Sequence, residues 1–314
     1  MTAPRIAVIG LGAMGLGMAG SLLRAGLPVV GVDAQPAREA AFAALGGEVV
    51  PAAEAAGTDV LVIVVVSAAQ TEAVLFGPQG LAARMRPGAV VVSCATVAPE
   101  AARGLAARCA DLGLLYLDAP ISGGAEKAAL GRLTIMASGA PEAFAAARPA
   151  LDAMAETVFD LGDAAGPASA MKVVNQLLAG VHIAAAAEAM TFGLTQGIAP
   201  EKTLEVISRC AGTSWMFENR GARIAAGDYA PRSAVEIFVK DLGIVSDIAR
   251  AARFSAPLTA AALQQFLAAA GSGLGGEDDA AVAKVYARNA GLSLPGRGPA
   301  PSGEAPGEAG PGEA

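Results

Sequence analysis

Lys172 and Asn175 stand three residues apart in an otherwise apolar run, Met171-Lys-Val-Val-Asn-Gln-Leu-Leu178, which follows Gly166-Pro167. Glycine and proline mark a helix entry. Residues three apart then share one face within the first two turns. A lone lysine and a lone asparagine on such a helix can both point into a polar cavity. Partial burial there would lower the lysine pKa toward neutrality, which suits a general base. Spacing alone leaves open a surface lysine that lies along the helix.

A second constellation opens the chain. Gly10-Leu-Gly12-Ala-Met-Gly15 matches GxGxxG, follows the apolar run Arg5–Ile9 and precedes an alanine- and leucine-rich stretch. In that context Gly10 permits a tight turn and Gly12 lets the backbone approach a pyrophosphate. Gly15 lets a helix pack on the strand, so Leu11, Ala13 and Met14 sit in a phosphate-binding turn. Asp33 ends the next strand, where its carboxylate can accept hydrogen bonds from ribose hydroxyls and would repel a 2′-phosphate. Ala34, Gln35 and Pro36 follow, and Arg38 lies farther on. NAD is expected rather than NADP, although Asp33 could instead simply cap the helix after it. A third motif, Asp118-Ala-Pro-Ile-Ser122-Gly123-Gly124, leaves backbone amides open as a cradle for a carboxylate.

Composition removes other chemistries. A net charge of −7 argues against nucleic acid and anionic membranes as partners. The single histidine, His182, leaves little material for a histidine metal centre or a serine triad, and no metal is expected. Cys94, Cys109 and Cys210 are sparse and lack a CxxC, so neither a disulfide framework nor a zinc site is read; a reducing cytoplasm is expected. Cys94 and Cys210 are read as small buried hydrophobes, and Trp215, Phe217 and Tyr229 as packing residues. The apolar start, Met1 to Leu27, lacks a basic leader. The run 176–194 reads as a buried helix rather than a membrane span.

The elements that must hold these residues fall into two kinds. Short apolar runs at 6–9, 29–33, 60–66, 90–93, 114–118, 133–136 and 158–160 alternate with helical stretches. That alternation predicts an α/β fold with a doubly wound, Rossmann-type sheet. After Gly166 only helices are read: 167–196, 200–211, 215–226, 233–252, 256–271 and 278–290. The expected organisation is a dinucleotide domain over 1–163, an all-α domain over 164–294 for substrate and oligomerisation, and a disordered Gly/Pro/Glu tail over 295–314.

With these motifs in order, the chain resembles the β-hydroxyacid dehydrogenase (3-hydroxyisobutyrate dehydrogenase-like) family. The carriers are Gly10 to Ala19, Asp118–Gly124, Gly162–Asn175 and Lys240-Asp-Leu242, and the likeness covers residues ~5–290. The resemblance implies an NAD-dependent oxidoreductase acting on a small hydroxy acid, with Lys172 as its acid/base. It implies that Ser122, Gly123 and Gly124 bind substrate, with Asn175 beside it. Thr96 would touch the nicotinamide end of the cofactor, and Lys240 would close on the site from the helical domain. Ser93-Cys-Ala95 departs from the approach to Thr96 common in relatives. Runs such as Ser214-Trp-Met-Phe-Glu-Asn-Arg220, Gly227–Leu242 and Gly276-Glu-Asp-Asp-Ala-Ala-Val282 are similar to the branch that oxidises L-threonate. Members acting on 3-hydroxyisobutyrate or tartronate semialdehyde are the alternatives. An imine reductase, which usually lacks the lysine, and a non-catalytic dinucleotide sensor are remoter. A homo-oligomer, dimer or tetramer, is expected from the large alanine-rich helical surface.

Overall fold

The computed structural model describes residues 3–296. Strands β1 (Ile6–Ile9), β2 (Val29–Val32), β3 (Glu48–Val49), β4 (Val60–Ile63), β5 (Val90–Ser93) and β6 (Leu115–Asp118) form a parallel sheet in the order β3-β2-β1-β4-β5-β6. Parallel pairing requires crossovers, and these come from α1 (Ala13–Arg24), α2 (Pro36–Ala44), α3 (Ala52–Ala55), α4 (Ala68–Phe76) and α5 (Pro99–Ala110). Strand residues alternate between two cores. Ile6, Val8, Val62 and Val92 face one layer of helices, while Ala7, Ile9, Leu61 and Val91 face the other. Both faces are covered, so the strands are apolar throughout rather than alternating in polarity.

Two strand expectations change. The run 60–66 is a strand only to Ile63; Val64 to Val66 leave the sheet and wall a cleft. The runs near 133 and 158 are not part of the large sheet. They form β8 (Leu133–Ala137) and β9 (Ala155–Asp160), parallel to each other, with β7 (Ile121–Ser122) antiparallel to β8. Ala119-Pro120 turn the chain out of β6, and α6 (Gly124–Leu130) and α7 (Pro141–Met154) complete this smaller layer.

From Pro167 the chain is helical: α8 (Pro167–Thr195), α9 (Pro200–Ile207), α10 (Trp215–Ala225), α11 (Val235–Ala251), α12 (Pro257–Ala269) and α13 (Ala283–Asn289). Prolines open α2, α5, α7, α8, α9 and α12, where a missing N–H costs nothing. The single helix expected over 278–290 is instead a 3-10 turn, Asp279–Val282, running into α13. A separate core gathers Ile183, Met190, Phe217, Ile224, Phe238, Leu242 and Phe266 around α8. By length and composition α8 could cross a membrane, but half of its apolar window is buried inside the protein. Of the expected tail, Pro295 and Gly296 pack beside Gly227, Tyr229 and Lys284. The remainder, 297–314, lies outside the described residues.

Asp118 joins the two parts. It ends β6, and its buried carboxylate accepts the N–H groups of Gly166 (3.0 Å) and Ser169 (2.9 Å) and the Ser169 hydroxyl (2.8 Å). Ser138 Oγ accepts the Ala168 N–H at 3.1 Å. Gly166, the residue before α8, offers no capping side chain, so the sheet domain caps the helix instead.

Candidate active site

A cleft of about 890 Å³ opens between the sheet and the helical core. Its floor is the turn from β1 to α1. Gly10 has φ +94°, and a Cβ there would collide with the Val64 carbonyl. A Cβ on Gly15 would collide with the Gly10 carbonyl, so helix and strand can touch only through glycine. No side chain caps α1, and its first intrahelical bond is from Leu16 N–H to Gly12 O. The amides of Ala13, Met14 and Gly15 therefore have no intrahelical acceptor and face a cleft that can hold phosphates. This backbone fits a dinucleotide.

Of the residues expected to bind cofactor or substrate or to act as acid/base, Leu11 alone is absent from the cleft wall. Its side chain is in the core, and its N–H donates to Asp33 Oδ2 at 2.7 Å. Gly10, Gly12, Ala13, Met14, Gly15, Asp33, Thr96, Ser122, Gly123, Gly124, Lys172, Asn175 and Lys240 all line it. Gly123 (φ +131°) and Gly124 (φ +77°) turn the chain from β7 into α6, in a backbone conformation that favours glycine.

Lys172 is in the first turns of α8 and only 7% exposed. Burial pushes its ammonium down to about 8, and nearby Lys240 pushes the same way, while Asp241 opposes them. The surface-lysine alternative is thereby removed. One turn on, at i+4, Gln176 is buried too. Asn175 Nδ2 donates to Gln176 Oε1 (2.8 Å), and Gln176 Nε2 donates to Asp241 Oδ2. Asp241, at 2% exposure, also pairs with Lys240, whose Nζ donates to the Thr96 carbonyl at 3.0 Å. A polar chain thus runs from α8 through α11 to the sheet domain. The i+4 spacing from Lys172 was the available signal for Gln176.

The far wall comes from α10 and the segment before α11. Trp215, read above as packing, is half exposed and lines the cleft with Arg220, Arg232 and Ser233. Phe217 is in the helical core as expected. Arg220 makes a two-pronged pair with Asp279, Nε–Oδ1 2.7 Å and Nη2–Oδ2 2.8 Å. Asp278 Oδ2 accepts from Arg223 (2.6 Å) and from the N–H of Arg232 (3.1 Å). Asp278 and Asp279 thereby hold this wall in place. Cys94 is buried at the cleft edge, its thiol pushed up to about 12 by burial and by Asp118. Cys210 is exposed, contrary to expectation, because α9 ends at Ile207 before reaching it. His182 is on α8 away from the cleft lining.

Residues 5–162 match a family model described as the NAD binding domain of 6-phosphogluconate dehydrogenase. Residues 166–286 match one described as the NAD-binding of NADP-dependent 3-hydroxyisobutyrate dehydrogenase. The chain is 54% identical to an L-threonate dehydrogenase of Cupriavidus necator, over 93% of this chain and 98% of that one. It is 44% identical to an L-threonate dehydrogenase of Escherichia coli K12, over 93% and 96%. A crystal structure of a 3-hydroxyisobutyrate dehydrogenase from Salmonella typhimurium is similar at a TM-score of 0.86 and 48% identity, covering 90% of this chain and 99% of that one.

Proposed function

The chain belongs to the 3-hydroxyisobutyrate dehydrogenase-like family of NAD-binding oxidoreductases, and on that premise we propose that it oxidises L-threonate at C2 to 2-oxotetronate. The observation that carries the catalytic reading is Lys172: a buried amine, lowered to about 8, in the same cleft as the dinucleotide turn.

Bound NAD supplies the acceptor for the hydride that leaves C2. The amides of Ser122, Gly123 and Gly124 hold the substrate carboxylate. Neutral Lys172 takes the C2 hydroxyl proton, and in reduction its protonated form returns it. Asn175, fixed by Gln176, positions the hydroxyl. Lys240, bridging Thr96 and Asp241, ties the helical wall to the sheet wall and keeps water from the reacting carbon. A four-carbon acid carries two further hydroxyls. Arg220, Arg232, Ser233 and the Trp215 indole supply partners for them that a methyl-bearing acid would leave unpaired.

The name of the Salmonella relative keeps 3-hydroxyisobutyrate as a second reading. NAD reduction should be compared over L-threonate, D-threonate, D-erythronate, 3-hydroxyisobutyrate and glycerate. The highest kcat/KM is expected with L-threonate. A higher value with 3-hydroxyisobutyrate would replace this substrate, and no NADH from any acid would remove the reading.

The exposed face of α8 supports a homo-oligomer. Met171, Val174, Leu178 and Phe192 are each about half exposed and share one face at ~100° per residue, with His182 on it. The three free cysteines agree with a reducing cytoplasm.

A further inference from the structure

Arg38 lies five residues beyond Asp33 and is not adjacent to it in sequence. Helix α2 brings it back. The Gln35 N–H donates to Asp33 Oδ1 at 2.8 Å and Pro36 starts the helix, so the turn is tight and Arg38 sits in its first turn. Its Nη1 is 3.5 Å from Asp33 Oδ2. The same nitrogen would be 3.7 Å from a Cβ on Gly12, the residue over which the cofactor backbone must pass.

Asp33 is this arginine's one charged partner among the described residues. Its guanidinium makes no hydrogen bond among the described residues, and its side chain is 45% exposed at the cleft. A cation in the first turn of a helix also opposes the helix dipole, so an anionic partner is needed to hold it there. Asp33 fills that need now. It cannot turn away, because Leu11 N–H holds Oδ2 (2.7 Å) and Gln35 N–H holds Oδ1. Glu39 is committed to the Asp33 N–H at 3.2 Å.

We propose that Arg38 is a second determinant of cofactor choice: a ready ligand for a 2′-phosphate whose charge Asp33 neutralises. The pair, and not Asp33 alone, then sets the preference for NAD. This rests on the dinucleotide reading of the cleft. Its consequence is that removing one carboxylate, with no new arginine added, opens the site to NADP.

The test is a set of titrations with NADH, NADPH and adenosine 2′,5′-bisphosphate, read by nucleotide fluorescence or calorimetry. The proteins are wild type, Asp33→Asn, Arg38→Gln and the double variant. Asparagine keeps an oxygen for the Leu11 N–H. Asp33→Asn should tighten NADPH and the bisphosphate about 10- to 100-fold relative to NADH, the scale of a charge-assisted hydrogen bond. Adding Arg38→Gln should remove that gain. If the double variant keeps it, Arg38 is not the phosphate ligand. Should Asp33→Asn fail to fold, Arg38→Gln on the intact loop decides. NADPH affinity should fall about tenfold more than NADH affinity, and equal losses would overturn the proposal. Wild type that binds no NADH would instead overturn the dinucleotide reading beneath it.

Discussion

At the scale of residues, the proposed chemistry rests on one amine. Lys172→Ala should lower turnover by ~10² to 10⁴, the usual range for lost acid–base catalysis, with NADH still bound. Steady-state rates beside a binding titration check this, and near-wild-type turnover would remove Lys172 from its role. The lowered pKa gives a sign as well. Oxidation needs the neutral amine, so kcat/KM for the hydroxy acid should rise with pH and level off above about 8. Reduction of the oxo acid needs the ammonium and should fall over the same range. A flat oxidation profile from pH 6 to 9 would contradict a lysine base. The residues were legible unevenly. Lys172 and Asn175 stood out as polar interruptions of an apolar helix. Arg38 and Trp215 did not, because nothing in spacing says that a side chain on α2 turns back, or that an aromatic on α10 faces a cavity.

At the scale of elements, α8 is aimed by its cap. Asp118 and Ser138 take the amides of its first turn, so the sheet domain sets the direction in which Lys172 points. Asp118→Ala should cost ~2 kcal/mol, a lost cap with buried donors left unpaired, and should also lower kcat. Thermal melts and turnover test both; stability lost with kcat intact would show that the cap does not aim the lysine. A stronger effect is expected at the opposite wall. Asp279→Ala leaves Arg220 buried without its partner and should destabilise by ~3–5 kcal/mol. Denaturant unfolding measures it, and a loss under 1 kcal/mol would mean that the wall relaxes to let Arg220 reach water.

For the whole molecule, the outstanding surface is the apolar face of α8. Leu178→Glu with Phe192→Glu should move the protein to monomer in size exclusion with light scattering, since a charge on each helix opposes burial of the other. A wild-type monomer would end the oligomer proposal. The face starts at Met171, next to Lys172, so assembly and activity should be assayed together.

Local pattern was enough wherever the physics is local. Short continuous apolar runs, a glycine turn that only glycine can make and prolines at helix starts specify the Rossmann-type sheet, the all-helical half and the dinucleotide turn. Tertiary structure decided what depends on distant partners. The runs at 133 and 158 look like any sheet strands, and only pairing energy sends them to a second sheet. Val64 to Val66 are as apolar as Ile63, yet they leave the sheet and wall the cleft, with the Val64 carbonyl packed against Gly10. Asp118 is 51 residues from Ser169 and Lys240 is 144 from Thr96, and such contacts exist only after the chain has folded. Hydrogen bonding and burial at those junctions convert a list of polar residues into one cleft, because desolvation, which lowers Lys172, is a property of the enclosure and not of the lysine.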